Sequence, residues 1–320
     1  MSGEAPELPW TGERCLPWID DVQVVYEHLL RYQFAAQFCA GKRVIDLGCG
    51  EGYGSAMLAA TAATVVGIEI ELGVVEHARG AYQRPNLEFL EGSVLDLDRI
   101  PPASIDVAVC FEVLEHVQEH EQLLDGINRV LAPGGLLAIS TPDRILYSER
   151  NDYHNPFHVH ELDPAEFESL LRQHFSEIAT WRQATTSAGS QMTIEVGRER
   201  AEGLQLTAVR RQGSEWVQTE VNAPYLLALV GETLPAGLPE RVELLDPELE
   251  VVAVKTAVLS ERDRELGAAR SALARTEAEV QRTEAEAQEW RSRYALVTGT
   301  PGYRWLERLR SWRRLGRRPS

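Results

Sequence analysis

The sequence predicts an α/β fold: a mainly parallel sheet with helices on both faces, followed by a long helical extension. Three observations carry this. Residues 42–54 read as strand, glycine turn and helix start, with the apolar pair Val44 and Ile45 ending at Asp46 and opening into Gly48, Gly50, Gly52 and Gly54. Further β-branched or alternating runs follow at 64–70, 87–90, 105–111 and 136–142, with helical stretches between them. That alternation builds parallel βαβ units. Residues 248–296 are then dense in Ala, Glu and Arg and contain no proline.

The chain has 320 residues, 44% of them apolar, which is enough for a packed core. Its net charge of −17 argues against general affinity for nucleic acid, whose phosphates it would repel. The charge is uneven. Residues 301–320 carry seven arginines and one glutamate, a local net of +6 against about −23 for the rest. Cys15, Cys39, Cys49 and Cys110 form no Cys-x-x-Cys, so neither zinc nor a disulfide framework is expected, and reduced thiols in a cytoplasmic protein are. Residues 1–20 contain acidic side chains and no apolar core, unlike a signal peptide. No run of about 18 apolar residues exists to span a membrane.

Residues 1–40 read as an N-terminal arm followed by a helix that starts after Asp20-Asp21, with Val22, Val25, Tyr26, Leu29 and Leu30 at helical spacing. The glycine turn comes next. It lacks the Gly-x-Gly-x-x-Gly dinucleotide pattern, because Tyr53 and Ser55 occupy the sixth positions, and it has no Gly-Lys-Ser/Thr. It resembles motif I of the class I S-adenosylmethionine (SAM) methyltransferases, apolar-apolar-Asp-apolar-Gly-x-Gly-x-Gly. The resemblance implies that Asp46, Gly48, Cys49, Gly50 and Gly52 form one wall of a SAM site. It also implies that the preceding helix covers that site, bringing Tyr26, His28, Arg31 and Tyr32 within reach of cofactor or acceptor, or into packing.

The second strand ends in Glu69, 23 residues after Asp46. A carboxylate there suits both ribose hydroxyls because it only accepts hydrogen bonds. Ile70 follows it. A helix over 72–82 and a third strand lead to Gly92-Ser93-Val94, which in the family flanks the adenine; an Asp is usual where Ser93 stands. The fourth strand ends in Glu112-Val113-Leu114-Glu115-His116, similar to the Glu-x-x-Glu-His signature of the methyltransferase type 11 group. The resemblance puts Glu112 at the methionine end of SAM and His116 towards the acceptor. An amphipathic helix over 123–131, Ala132-Pro133-Gly134-Gly135 and a fifth strand complete the match. The family fold implied is a Rossmann-like, seven-stranded sheet whose last strand is antiparallel, with strands six and seven expected at 175–181 and 224–230. The methyltransferase domain is expected over 41–231, with an unassigned polar insertion at 184–223 and a Pro-rich linker at 232–247.

Residues 147–162 crowd His154, His158 and His160 among aromatic and polar side chains, before a helix capped by Asp163 with Pro164 and Glu166 behind it. Such a loop suits a lid or acceptor-binding segment. Asn155-Pro156-Phe157-His158 and the early Gly12-Glu13-Arg14 look like a bacterial subgroup whose genes often accompany cell-surface glycan assembly. A sugar hydroxyl is a poor nucleophile and benefits from a base, for which His is suited. The candidates are His158, then His116 and His154, each with the alternative of bonding loop backbone. His116 with His120, or His158 with His160 and Glu161, offer metal-ligand spacings, but there is no His-Glu-x-x-His and no metal is expected.

In the long helix over 248–298, Leu259, Leu266, Leu273, Val280, Ala287 and Tyr294 recur every seven residues, the mark of a coiled-coil seam and a homodimer. Arg262, Ala269, Thr276, Thr283 and Trp290 form its weaker second row. Thr300-Pro301-Gly302 ends it. The Arg-rich tail places Trp305, Leu309 and Trp312 on one face, suited to a membrane interface or an acidic partner. The reading is a SAM-dependent methyltransferase of the cytoplasm or the inner membrane face, acting on a saccharide hydroxyl. The alternatives are a small-metabolite methyltransferase and a non-catalytic scaffold using the coiled coil.

Overall fold

The computed structural model describes residues 8, 14–18, 22–186, 189–195, 208–212, 215–219, 222–245 and 250–315. Asp20, Asp21, Gly12 and Glu13 lie outside them. The chain forms two compact units, Met1–Val254 and Lys255–Ser320.

The first unit opens with helix α1 (Val22–Ala36) and then strand β1 (Arg43–Leu47). The glycine turn leads into α2 (Tyr53–Leu58), β2 (Thr64–Glu69), α3 (Leu72–Ala81) and β3 (Leu87–Glu91). The chain then crosses to the far side of β1 for β4 (Ile105–Phe111), a 3-10 turn (Leu114–His116), α4 (His120–Val130) and β5 (Leu131–Pro142). β1 pairs in parallel with β2 on one side and β4 on the other. Their carboxyl ends are therefore the switch point at which open α/β sheets bind ligands.

Strand residues alternate between two cores, as a period of two demands. Ile45, Leu47, Ala108, Cys110, Leu137 and Ile139 pack on the α4 side with Leu123, Leu124 and Ile127. Val44, Val107, Val109, Leu136 and Ala138 pack on the α1 side with Leu30 and Phe34. Asp46, between Ile45 and Leu47, thus falls on the α1 face and is fully buried there. Residues 132–135 bulge out of β5 as the register passes from Ile105↔Leu131 to Val107↔Leu136. The expected Pro-Gly-Gly turn is therefore a bulge within a longer strand.

A short helix α5 (Arg144–Tyr147) opens the histidine-rich loop, and α6 (Pro164–His174) closes it. Asp163 and Glu166 form a full capping box at the start of α6, as the sequence predicts. β6 (Glu177–Thr186) and β10 (Tyr225–Gly231) are the expected sixth and seventh strands, with β10 antiparallel between β5 and β6.

The expected count of seven strands is corrected to nine among the described residues, in the order β11 (Arg241–Leu245), β7 (Gly189–Glu195), β6, β10, β5, β4, β1, β2, β3. The polar insertion supplies β7 (Gly189–Glu195), antiparallel to β6, and a separate hairpin of β8 (Ala208–Gln212) and β9 (Glu215–Thr219). The stretch expected as a linker supplies the outermost strand, β11 (Arg241–Leu245). Both added strands alternate: Ser190 and Met192 of β7 turn inward, and Val242 and Leu244 of β11 pack against the α1-side core. Only one face of each is apolar, which is why composition alone reads as insertion and linker.

The second unit is helical. α7 (Glu250–Thr298) is followed by α8 (Pro301–Leu315); the break is Gly299-Thr300, and Pro301 and Gly302, expected to lie in it, instead form the first turn of α8. Among the described residues, no helix is long and apolar enough to cross a membrane. All four cysteines are free and buried.

Candidate active site

The turn after β1 is built by left-handed backbone. Gly48 has φ +70°, and a Cβ there would sit 2.5 Å from Cγ2 of Val113. No side-chain-bearing residue fits that position. Gly54 allows α1 and α2 to meet, since a Cβ on it would lie 2.0 Å from Cζ of Tyr32. Tyr32 in turn donates to Asp46 (3.2 Å), and the Ser55 hydroxyl donates to the same carboxylate at 2.6 Å. Burial pushes the Asp46 carboxyl up to about 7 despite these two donors, and the nearby Glu69 adds to the rise. Sequence reading missed Ser55; its position in the first turn of a helix opening over a buried acid was the available signal.

Glu69 ties the end of β2 to the glycine turn. Its carboxylate accepts from Gly50 N at 3.1 Å, Ile70 N at 3.0 Å and Glu71 N at 3.1 Å. Ile70 is 71% exposed beside it, open to a flat apolar ligand face. Ser93 is half-buried and its hydroxyl accepts from Leu95 N, while half-buried Val94 packs against the α4-side core. From the N-terminal arm, Arg14 reaches Glu71 at 2.7 Å, and its side chain lies over Gly50. Cys49 is buried under the turn.

Glu112 leaves β4 with φ +52°, unusual for a residue with a side chain. Ser140 at the end of β5 holds it: Glu112 N donates to Ser140 O at 3.2 Å, and Ser140 Oγ donates to Glu112 Oε1 at 2.6 Å. Arg31 stands across from it, with Nη2 3.6 Å from Glu112 Oε2 and its guanidinium 4.6 Å from the Tyr225 ring centroid. Arg31 is 1% exposed and its Nε donates to Gln183 Oε1, yet Nη1 and Nη2 have no hydrogen-bond partner among the described residues. A buried cation with unfilled donors fits an incoming carboxylate. With the Glu69 carboxylate and the glycine cradle, this is a donor and acceptor set that fits SAM: Arg31 for the methionyl carboxylate, Glu69 for the ribose. His28 is half-buried on α1, and burial holds it neutral, well below the usual imidazole range.

The loop over 147–162 is stapled to the segment after β4. Val159 N and His160 N donate to Glu115 O at 2.8 and 3.1 Å, Gln118 Nε2 donates to Val159 O, and His116 Nδ1 donates to Phe157 O at 3.0 Å. These contacts bring His116 and His158 together, with ring centroids 5.1 Å apart. His158 Nδ1 lies 2.5 Å from Glu161 Oε1, and its Nε2 lies 2.9 Å from Asn155 Nδ2. Tyr147 stacks on His158 at 5.5 Å and sits 5.8 Å from Tyr225, linking this end to Arg31. His154 is exposed and stands outside the pair.

The two metal spacings weighed from sequence are not assembled. His120 Nε2 bonds Leu114 O at 2.9 Å and its ring stacks on His160 at 4.6 Å. A different set does converge: Glu115, His116 and His158 each bring one ligand atom, all within 4.8 Å of one another. Glu115 is buried and accepts from the Thr141 hydroxyl; burial and the nearby Glu112 hold its carboxyl far above the usual range, opposed by His158. Sequence reading missed Ser140, Thr141, Asn155, Gln183 and Tyr225. A polar Ser-Thr pair ending an otherwise apolar strand was the visible trace of the first two.

A family model described as "Methyltransferase domain" matches residues 45–139. A probable S-adenosylmethionine-dependent methyltransferase of Mycolicibacterium smegmatis is 40% identical over 166 residues, covering 51% of this chain and 63% of that protein. A second of the same description, from Mycobacterium tuberculosis, is 38% identical over 166 residues, covering 51% and 60%. The chain thus matches less than two thirds of the length of these two relatives. A ubiquinone biosynthesis O-methyltransferase of Albidiferax ferrireducens is 30% identical over 206 residues, covering 62% of this chain and 77% of that one.

Proposed function

Because the chain belongs to the SAM-dependent methyltransferase family, we propose that it methylates a hydroxyl oxygen of a saccharide, with His158 as the base that takes the proton. The observation that carries this reading is the His158–Glu161 contact on the loop beside Glu115 and His116. When bound, SAM supplies a methyl group already activated by its sulfonium. The protein's remaining tasks are to position the acceptor, exclude water and receive a proton.

Each task has residues suited to it. Glu161 fixes the proton on Nδ1 of His158, so Nε2 is the accepting nitrogen, and the carboxylate stabilises the imidazolium once it forms. Asn155 Nδ2 lies on Nε2 in this arrangement, and its amide has to turn aside before an acceptor hydroxyl can take that position. The acceptor oxygen gives its proton to Nε2 as it gains the methyl. His116, held through Nδ1 by Phe157 O, is the second candidate base, and exposed His154 is the third. Tyr153 and Phe157 are each about half exposed on the same loop, a surface suited to the apolar face of a sugar ring beside groups that bond its hydroxyls.

The experiment is methyl transfer from labelled SAM across a panel of mono- and oligosaccharides and of phenolic acceptors. Transfer to saccharides with a product stable to base, as an ether is and an ester is not, supports the reading. Transfer to phenols alone would favour a second reading, raised by the name of the Albidiferax relative: a ubiquinone-type small molecule as acceptor.

A further inference from the structure

We propose that α7 is one half of an antiparallel coiled coil whose other half is α7 of a second copy of this chain. The helix runs for 49 residues. Its apolar residues stand in solvent: Leu266 is 51% exposed, Leu273 60%, Val280 50%, Trp290 70% and Tyr294 66%. The first row repeats every seven residues, not every 3.6. On a straight helix such a row drifts by about 20° per heptad, so it stays a single seam only when two helices supercoil about each other.

The second row is compatible with burial. Thr276 and Thr283 donate their hydroxyls to Ala272 O (3.2 Å) and Glu279 O (3.1 Å) of their own helix, so covering them leaves neither hydroxyl without a partner. Ala269 is small, and no residue from Leu266 to Tyr294 in either row is charged.

Direction follows from size and charge. The first row is mostly large and the second mostly small. A parallel pair would stack each row on itself, setting leucine against leucine, tryptophan against tryptophan and Arg262 against its own copy. An antiparallel pair sets first row against second. Centred near residue 278, it places Leu273 against the partner's Thr283, Val280 against the partner's Thr276 and Ala287 against the partner's Ala269. The flanking charges favour the same register, since Glu265 then faces the partner's Arg293 and Arg270 faces the partner's Glu284. Glu277 and Glu279 meet their own copies only at the dyad. Sliding by one heptad one way sets Glu279 against the partner's Glu286 and Arg270 against the partner's Arg291; the other way it keeps one attraction, Arg270 to the partner's Glu277, but sets Glu265 against the partner's Glu286 and Asp263 against the partner's Glu284. Exposed ion pairs add little strength, but they select register.

The test uses the full chain. Sedimentation equilibrium is expected to give twice the 35.8 kDa chain mass, and Leu266→Glu with Leu273→Glu to return it to a single chain mass at the same concentration. Register is read by thiol crosslinking, with the four native cysteines buried. A mixture of Ala269→Cys chains and Ala287→Cys chains is expected to form a covalent dimer on oxidation, while each variant alone does not. A wild-type protein with single-chain mass overturns the proposal. So does self-crosslinking of either single variant, which would mean a parallel pair.

Discussion

Replacing Asp46 with Asn should make the protein relatively more stable as pH rises. Asp46 is fully buried on the α1 face, and its carboxyl is raised from an ordinary 3.8 to about 7. Between those values the folded chain keeps the proton and the unfolded chain does not. Fewer protons on the unfolded state means stability falls with pH, by about 1.4 kcal/mol per unit in mid-window. The full penalty of ionising Asp46 in place is therefore about 4 kcal/mol, complete above the folded pKa. Roughly 2.5 kcal/mol of it develops between about pH 5 and pH 8. Asn has nearly the same shape and does not titrate. It disturbs one of the hydroxyl contacts from Ser55 and Tyr32, a cost of about 1 kcal/mol that does not vary with pH. Urea unfolding of both proteins across that range isolates the Asp46 contribution, because other buried acids such as Glu27 and Glu115 are common to both. The difference in unfolding free energy should move in favour of Asn by roughly 2.5 kcal/mol and level off above about pH 8. A difference that stays constant with pH would refute the reasoning, since Asp46 would then ionise in the folded state without penalty.

Three further outcomes are expected. Gly54→Ala forces a methyl into the Tyr32 ring and should destabilise the fold by roughly 1–3 kcal/mol, read as a lower urea midpoint with unchanged slope. Arg31→Met removes the buried cation whose Nη atoms make no hydrogen bond among the described residues, so calorimetric SAM affinity should fall about ten- to a hundredfold, in line with about 1.5–3 kcal/mol for a charged hydrogen bond; unchanged affinity would assign Arg31 to its contacts with Glu112 and Tyr225 alone. Glu161→Gln removes the carboxylate from His158, so the rate should fall while SAM affinity holds. A drop in SAM affinity instead would make Glu161 part of the fold of the loop and not of the chemistry.

The parts of the molecule legible in sequence are those governed by local period and turn chemistry. The glycine turn, Glu69 at the end of β2 and Glu112 at the end of β4 all stand where the run of apolar residues stops, and the sheet brings those ends together. The capping box at Asp163 was readable for the same reason. What stayed hidden depends on neighbours distant in the chain. Ser140 holds Glu112 and Thr141 holds Glu115 because β5 lies beside β4 in the sheet, and Gln183 holds Arg31 because α1 packs on β6. Strands β7 and β11 are amphipathic strands at and beside the sheet edge, and their polar alternate residues disguise them. In the loop over 147–162 the aromatic and polar composition was visible, but not the contact that separates His158, bound by Glu161 and Asn155, from exposed His154.

The most direct test of the account is single-turnover transfer of labelled methyl from SAM to a saccharide acceptor, with SAM affinity measured in parallel for wild type and His158→Ala. The account predicts that the variant binds SAM as the wild type does and loses transfer by about a hundredfold or more, the range of a general base. Wild-type transfer in His158→Ala would contradict it, and so would a wild-type protein that binds SAM but leaves every hydroxyl acceptor unmethylated.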